Sequence, residues 1–384
     1  MRVLFSCVVG HGHFHPLVAL AQEMRGAGHE VAFATDPAFC PYVESCGFEA
    51  HPAGLNQSEA QGRFIKTIPE WERIPPEDRP SLMFPGLFAG VRVRPMLDDL
   101  IPLLEAWQPD LLIHDTNEMA GAIAARVAGL PHVVHSFGIV RPARLTALAA
   151  EELEPVCRAL GVDNPGVGGN RGELYLDICP PAIQLSDIEL IPNVQPLRPI
   201  PFDAGGGASL PAWIADLPHR PTVYVTMGTM FSANSVFQTV LGALREEPLN
   251  IIATVGSRND PADLGAQPEN VHVERYIPQS QLLPHCDLLI SHAGSGATLG
   301  TLNAGVPLLA IPQGADQFVN ADRIVSAGAG LQLLPHEMSA EAVRDGVRRL
   351  LDDGRFTLAA RRIADQIAEM PMPAAAVPML EALG

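Results

Sequence analysis

Residues 275–330 read RYIPQSQLLPHCDLLISHAGSGATLGTLNAGVPLLAIPQGADQFVNADRIVSAGAG, and their punctuation decides the fold. An apolar run at 287–291 enters the small-residue turn His292-Ala293-Gly294-Ser295-Gly296-Ala297-Thr298; a helical pattern follows, then a second apolar run at 307–311. Strand, tight turn, helix and strand in that order predict a parallel βαβ unit. Small side chains in the turn let backbone N–H groups converge at a helix N-terminus, where unpaired donors and the helix dipole favour an anion. The turn lacks the G-x-x-x-x-G-K-[ST] pattern of a P-loop and carries no Lys or Arg. A diphosphate held there would depend on helix N–H groups, His292 and hydroxyls. On this stretch alone, a glycine-rich turn without a ligand is the alternative. A matching turn, Met227-Gly228-Thr229, follows the apolar run at 222–226.

On either side the same alternation continues. The second half offers strands at 222–226, 250–255, 271–273, 287–291, 307–311 and 330–333, with helical patterns between them. The first half offers strands at 2–9, 31–35, 48–51, 110–114 and 132–136. Pro16 suits a first helical turn; Leu17, Leu20, Ala21 and Met24 then share one face, and Gly28 is a stop. The fold class predicted is α/β, with two doubly wound, Rossmann-like parallel-sheet domains. A chain of 384 residues also exceeds the ~250–300 residues at which single cores stop growing. The Pro- and Gly-rich stretch at 191–211 reads as a linker. The expected division is 1–195, a linker at 196–212, 213–368, and a closing helix at 369–384. Ligands of such sheets bind at the carboxyl ends of the strands, so a cleft between the two domains is expected. Residues 55–95, polar and Pro-rich with Phe64, Trp71, Phe84 and Phe88, read as loops and short helices bordering a pocket.

Composition removes several classes. With 25 Lys+Arg against 43 Asp+Glu the net charge is −18, which leaves no basic footprint for nucleic acid or an anionic membrane. Aromatics make up 5%, too few for base-stacking platforms. The six cysteines, Cys7, Cys40, Cys46, Cys157, Cys179 and Cys286, are scattered without paired spacing, as expected of reduced core thiols in a cytoplasmic protein. The apolar start ends in Gly and histidines instead of a small-residue cleavage site, and no uncharged run approaches the ~18 residues of a membrane span.

The turn after the first strand reads Gly10-His11-Gly12-His13-Phe14-His15-Pro16. It is no dinucleotide fingerprint, because His15 stands where the third glycine belongs. Three readings stay open on the residues alone. The histidines could bind a metal, although no carboxylate or cysteine accompanies them; they could be solvated or packed; or one could be a general base aimed from the strand end into a cleft. Asp115, closing the strand at 110–114, would reach the same edge as a carboxylate partner, or serve as a helix N-cap.

Taken together, GHxxP at the start, PDLLIHD at 109–115, PTVYVTMGT at 221–229, YIPQ at 276–279, HAGSGAT at 292–298 and GADQFVNA at 314–321 resemble the GT-B nucleotide-sugar glycosyltransferases. The likeness is to bacterial members that decorate antibiotics and other natural products. It spans the chain and implies acceptor binding by 1–195, through loops including 55–95 and 136–145, and donor binding by 213–368; the closing stretch at 364–383 resembles the family's final helix, which packs on the first domain. The resemblance implies His13 as catalytic base, Asp115 as its orienting acid, and Thr229 and His292 on the diphosphate. It implies Tyr276 stacked on the nucleotide base, where the family often has Trp, with the backbone of Ile277 on the base edge. Asp316 and Gln317 would bind sugar hydroxyls. Gly12, Gly228, Gln279 and the turn residues Gly294, Ser295, Gly296, Ala297 and Thr298 complete the implied donor site.

Two departures stand out. Plant-type members place a ribose-binding Glu eight residues after the His; here that position is Gly300. A donor without a 2′-hydroxyl tolerates the loss, so a dTDP-sugar is favoured, with a UDP-sugar next. Ala297 replaces a common phosphate-contacting hydroxyl, which Thr298 next door could supply. The implied reaction is an inverting transfer to a hydroxyl of an apolar aglycone such as a polyketide, macrolide or phenol. No cofactor beyond the sugar nucleotide is expected and no metal, since Asp352-Asp353 lies in a late helix away from the donor turn. A nucleotide-sugar 2-epimerase, or a non-catalytic sugar-nucleotide-binding protein on the same scaffold, is the alternative.

Overall fold

A computed structural model of the chain describes residues 1–166, 172–203, 209–228, 234–256 and 259–384. Among the described residues thirteen strands form two sheets, and every pairing is parallel. The first sheet holds β1 (Arg2–Ser6), β2 (Glu30–Thr35), β3 (Glu49–Pro52), β4 (Leu111–Asp115), β5 (His132–His135), β6 (Leu174–Asp177) and β7 (Val194–Pro196), in the order β3-β2-β1-β4-β5-β6-β7. The second holds β8 (Thr222–Thr226), β9 (Asn250–Thr254), β10 (Val271–Glu274), β11 (Leu288–Ser291), β12 (Leu308–Ala310) and β13 (Gly330–Gln332), in the order β10-β9-β8-β11-β12-β13. The doubly wound α/β expectation is met. Unbroken apolar runs such as Val3-Leu4-Phe5 and Leu288-Leu289-Ile290 are wholly buried, as strands covered by helices on both faces require.

The chain divides into two compact units. One comprises Met1–Cys179, Gln184–Ile200 and Met370–Gly384; the other comprises Pro180–Ile183 and Pro201–Glu369. In the first, Leu4, Leu112, Ile123 and Leu100 belong to one core beneath helices Val93–Trp107 and Ala120–Ala128. In the second, Val223, Ile251 and Ile290 pack with Phe237 and Val347. Each sheet reverses its winding beside its first strand, since β1 lies between β2 and β4, and β8 between β9 and β11. Side chains just past the carboxyl ends of β1 and β4, and of β8 and β11, therefore border the switch-point crevice of each sheet.

Two local expectations change, and a third, short helices and loops over 55–95, holds. The helix after β1 runs over His11–Gly26, with Pro16 inside it. It therefore begins before the proline, and the segment 11–15 is helical, not a turn. Strands β6 and β7 lie where none was expected. The stretch 55–95 resolves into helix Gln57–Ile65, short turns and a π-helix over Phe84–Val91. Among the described residues, no helix is long and apolar enough to cross a membrane.

Candidate active site

Gly10 precedes the helix after β1 with φ 131°, a conformation that a side chain strongly disfavours. From that bend the chain enters helix His11–Gly26, and its first turn carries His13. Asp115 ends β4, the neighbour of β1, so the two residues flank one switch point. They meet there: His13 Nδ1 lies 3.2 Å from Asp115 Oδ1. Asp115 is fully buried and also accepts the backbone N–H of Val8 at 2.7 Å and of Asn117 at 2.7 Å. Burial pushes its pKa up, but His13 and the two backbone donors outweigh that and hold it below the usual carboxylate value. An ionised Asp115 draws a proton onto Nδ1 and leaves Nε2 as the acceptor. Phe137 sets its ring edge-on to His13 at 4.6 Å. The neighbouring histidines have other company: the His11 ring packs against Tyr42 at 4.5 Å, and His15 Nε2 lies 2.7 Å from the Tyr42 hydroxyl.

Beside the pair lies a pocket of about 350 Å³, counting its open mouth, lined by Asp36, Phe88, Arg92, Val93, Asn117 and Glu118 among others. Phe88, Arg92 and Val93 fall within 55–95, the stretch read from the sequence as bordering a pocket; Asp36, Asn117 and Glu118 were not singled out, although the polar run Asp115-Thr116-Asn117-Glu118 at a strand end was a usable signal. Glu118 is buried and accepts the Ser6 hydroxyl and the N–H groups of Ala120 and Gly121. Desolvation raises its pKa to about 7.

In the second unit, Gly228 follows β8 and His292 follows β11, again flanking a switch point. They are in contact: a Cβ on Gly228 would fall 2.5 Å from His292 Cε1, and one on Gly294 would fall 2.5 Å from Nε2. The two glycines thus clasp the imidazole ring. Desolvation lowers the His292 pKa to about 4 against the opposing pull of Asp316, so the ring is neutral near pH 7. Its Nδ1 is buried without a hydrogen-bond partner among the described residues.

Helix Ser295–Asn303 has Gly294 as its N-cap and no side-chain cap. Thr298 is the first residue to bond back, to Gly294 C=O at 2.9 Å. The N–H groups of Ser295, Gly296 and Ala297 precede it and form the helix's donor end. Thr298 Oγ1 is enclosed and unpartnered, so its hydroxyl does not stand in at the turn surface for the one Ala297 lacks. Ser295 Oγ donates to Asp316 Oδ2 at 2.6 Å, and Asn320 Nδ2 bonds both Asp316 Oδ2 at 3.1 Å and Ala293 C=O at 2.9 Å. Asn320, unforeseen in the sequence, thereby supports Ala293 in its left-handed conformation, φ 60°, which costs roughly 1–2 kcal/mol. Gln317 is buried, and its Oε1 accepts the N–H groups of Gln313 at 2.7 Å and Gly314 at 3.1 Å. Gln279 lies against the same helix, since a Cβ on Gly300 would sit 3.0 Å from Gln279 Nε2. Tyr276 is half-exposed and Ile277 buried. Burial, with Asp203, pushes the Tyr276 phenol up to about 12. Thr229 lies outside the described residues. Among the described residues there is no group of three or more His, Cys, Asp or Glu arranged to hold a metal ion.

Comparison with known proteins gives this geometry a context. Residues 85–228 match the N-terminal domain, and residues 238–383 the C-terminal domain, of the erythromycin biosynthesis protein CIII-like family. The chain is 34% identical to the L-demethylnoviosyl transferase of Streptomyces niveus, covering 97% of this chain and 96% of that one. It is 28% identical to the 10-deoxymethynolide desosaminyltransferase of Streptomyces venezuelae, over 100% of this chain and 97% of that one. The solved structure of spinosyn rhamnosyltransferase SpnG complexed with thymidine diphosphate superposes with a TM-score of 0.82 at 28% identity, over 99% of this chain and 100% of that one. The paired parallel sheets are those of a GT-B fold, and the chain belongs to the erythromycin biosynthesis protein CIII-like family of natural-product glycosyltransferases.

Proposed function

We propose that the chain is an inverting, metal-independent glycosyltransferase that moves a sugar from a dTDP-sugar to a hydroxyl of an apolar natural-product aglycone, with His13 as general base. The observation that carries the proposal is the His13–Asp115 pair: a partly exposed imidazole whose Nδ1 is engaged by a buried carboxylate 3.2 Å away. Nε2 then takes the proton of the acceptor hydroxyl as its oxygen bonds to the anomeric carbon. The bond from that carbon to the diphosphate breaks, and its electron pair leaves with the diphosphate. General-base help of this kind contributes roughly 10²–10⁴-fold.

The departing diphosphate is assigned to the donor end of helix Ser295–Asn303 and to His292, whose buried, unpartnered Nδ1 suits a ligand contact. Asp316 and Gln317 are assigned to the sugar. Ser295 and Asn320 fix the Asp316 carboxylate, and the Gln317 amide nitrogen remains available while its oxygen is held by backbone. The dTDP preference rests on Gly300 and on the thymidine diphosphate bound by SpnG. Metal independence rests on a donor turn built of glycines, hydroxyls and one histidine in place of paired carboxylates.

The test has two arms. Thermal unfolding with excess dTDP, UDP or ADP should show the largest rise with dTDP; a ligand at ~100 times its Kd adds about 2.7 kcal/mol. His13→Ala should keep the dTDP shift and lose roughly 10²–10⁴-fold in turnover. Full turnover in His13→Ala removes the base assignment, and turnover abolished by EDTA removes metal independence.

A further inference from the structure

Two polar groups in the first unit's pocket stand unsatisfied. Asn117 is 2% exposed, and its Oδ1 is buried without a hydrogen-bond partner. Arg92 directs Nη2 to Gln57 Oε1 and Nη1 to Leu55 C=O at 3.5 Å, while its buried Nε has no partner among the described residues. Both residues line the same pocket, next to the apolar side chains of Phe88, Val93 and Met96. Phe88 also faces the His13 ring at 6.4 Å, so the pocket adjoins the base. A buried polar group without a hydrogen bond is disfavoured, and two of them in one pocket call for a partner that reaches both.

We infer that Arg92 and Asn117 form a polar anchor for one neutral hydroxyl of the apolar acceptor: Arg92 Nε donates to its oxygen, and its O–H donates to Asn117 Oδ1. This assignment rests on the glycosyltransferase reading and names the part of the acceptor that its first unit selects. The local charge decides that the oxygen is neutral. Arg92 makes no salt bridge within 4.0 Å among the described residues, yet the carboxylates of Asp36 and Asp115 already influence it. Asp36 lines the pocket with Arg92, so an ionised ligand would add repulsion, whereas a neutral hydroxyl accepts from Arg92 and donates to Asn117 without it.

The experiment measures binding, not transfer. Wild type, Asn117→Ala, Arg92→Met and Arg92→Lys are titrated with 7-hydroxyflavone and with flavone at pH 6, where the phenol is neutral. Dissociation constants are read from protein fluorescence, and a dTDP thermal shift on each variant reports that it is folded. Wild type should bind 7-hydroxyflavone more tightly than flavone. Asn117→Ala and Arg92→Met should each erase roughly 5–15-fold of that preference, the equivalent of one hydrogen bond. Arg92→Lys, which keeps charge and loses Nε, should behave like Arg92→Met. Equal binding of the two flavones by wild type, or a preference unchanged in all three variants, overturns the anchor. If the preference is lost in the variants but the wild-type protein binds no sugar nucleotide, the anchor stands and the transferase reading fails.

Discussion

Replacing Gly294 with alanine should weaken nucleotide binding without touching any atom now assigned to the ligand. The new Cβ would lie 2.5 Å from His292 Nε2 and 3.0 Å from Cε1, whereas ordinary contact begins at 3.4 Å, so the ring must move by about 0.9 Å. It cannot retreat towards Gly228, where the same Cε1–Nε2 edge already fills the space left by the missing Cβ. Gly294 has φ −62°, a value alanine adopts freely, so the penalty is steric and not conformational. Overpacking of this kind costs about 1–3 kcal/mol. Expressed wholly at the diphosphate subsite, that is a loss of roughly 5–150-fold in dTDP affinity. Isothermal titration with dTDP reads the affinity, and a thermal scan of the unliganded protein shows how much of the cost falls on stability. Gly242→Ala is the internal control: it lies exposed in helix Asn234–Leu244 with nothing within 4 Å of the added carbon. It should raise stability by roughly 0.5–1 kcal/mol through helix propensity. If Gly294→Ala binds dTDP as wild type does and unfolds at the same temperature, the clasp around His292 is not what these distances say it is.

Three further outcomes are expected. Asp115→Asn turns one of the oxygens that accept from His13, Val8 and Asn117 into a donor. It should cost about 1–3 kcal/mol in stability and lower kcat far more than it changes the donor KM; an unchanged kcat contradicts the orienting role. Gly300→Glu should shift nucleotide preference from dTDP towards UDP by supplying a ribose partner, the Gln279 side chain giving way; a dTDP preference identical to wild type refutes the Gly300 argument. Stability should fall below about pH 6. His15 and His132 are lowered to about 3, His135 and His292 to about 4, and His114 is lowered as well, in each case chiefly by burial. The unfolded chain therefore takes up protons on the four imidazoles held at about 3 to 4 from about pH 6.5 downward, where the folded chain does not, and His114 acts in the same direction. Glu118 and Asp177, raised by burial to about 7 and about 6, oppose this by binding two protons in the folded state, a contribution lost as pH rises through those values. The net, four less two, is an uptake of at least about two protons on unfolding near pH 5. A melting temperature that holds or rises between pH 6 and 4.5 excludes this balance.

The fold was legible because the strands nearest each switch point are continuous apolar runs ending in turns of small residues, a pattern no amphipathic helix produces. The edges were not. β6 is four residues long, and β7 is three residues ending in Pro196. A proline has no N–H to donate to a neighbour, so that sequence looks like linker unless the edge position is known. A proline also hid a helix: Pro155 lies within Ala143–Leu160. At the site, His13 and Asp115 could be paired because each follows a strand. Asn117 and Glu118 stand at the same strand end and carried a positional signal, but what sets them and Arg92 apart is burial without a partner or with a shifted charge, and neither is written in local sequence.

The first unit has a construction whose effect is temporal. Its final piece, Met370–Gly384, docks through Arg198 N–H on Pro371 C=O at 2.7 Å, through Glu381 on His29 at 3.0 Å, and by laying the turn Pro373–Ala376 on helix His11–Gly26. A ribosome delivers residues 201–369, the bulk of the other unit, before those contacts can form. Synthesis runs at roughly 5–20 residues per second, so the helix that carries His13 waits with part of its cover missing while the later-made unit can already close. The half of the enzyme translated first is thus the half completed last, and chaperone dependence during synthesis should concentrate on the amino-terminal sheet.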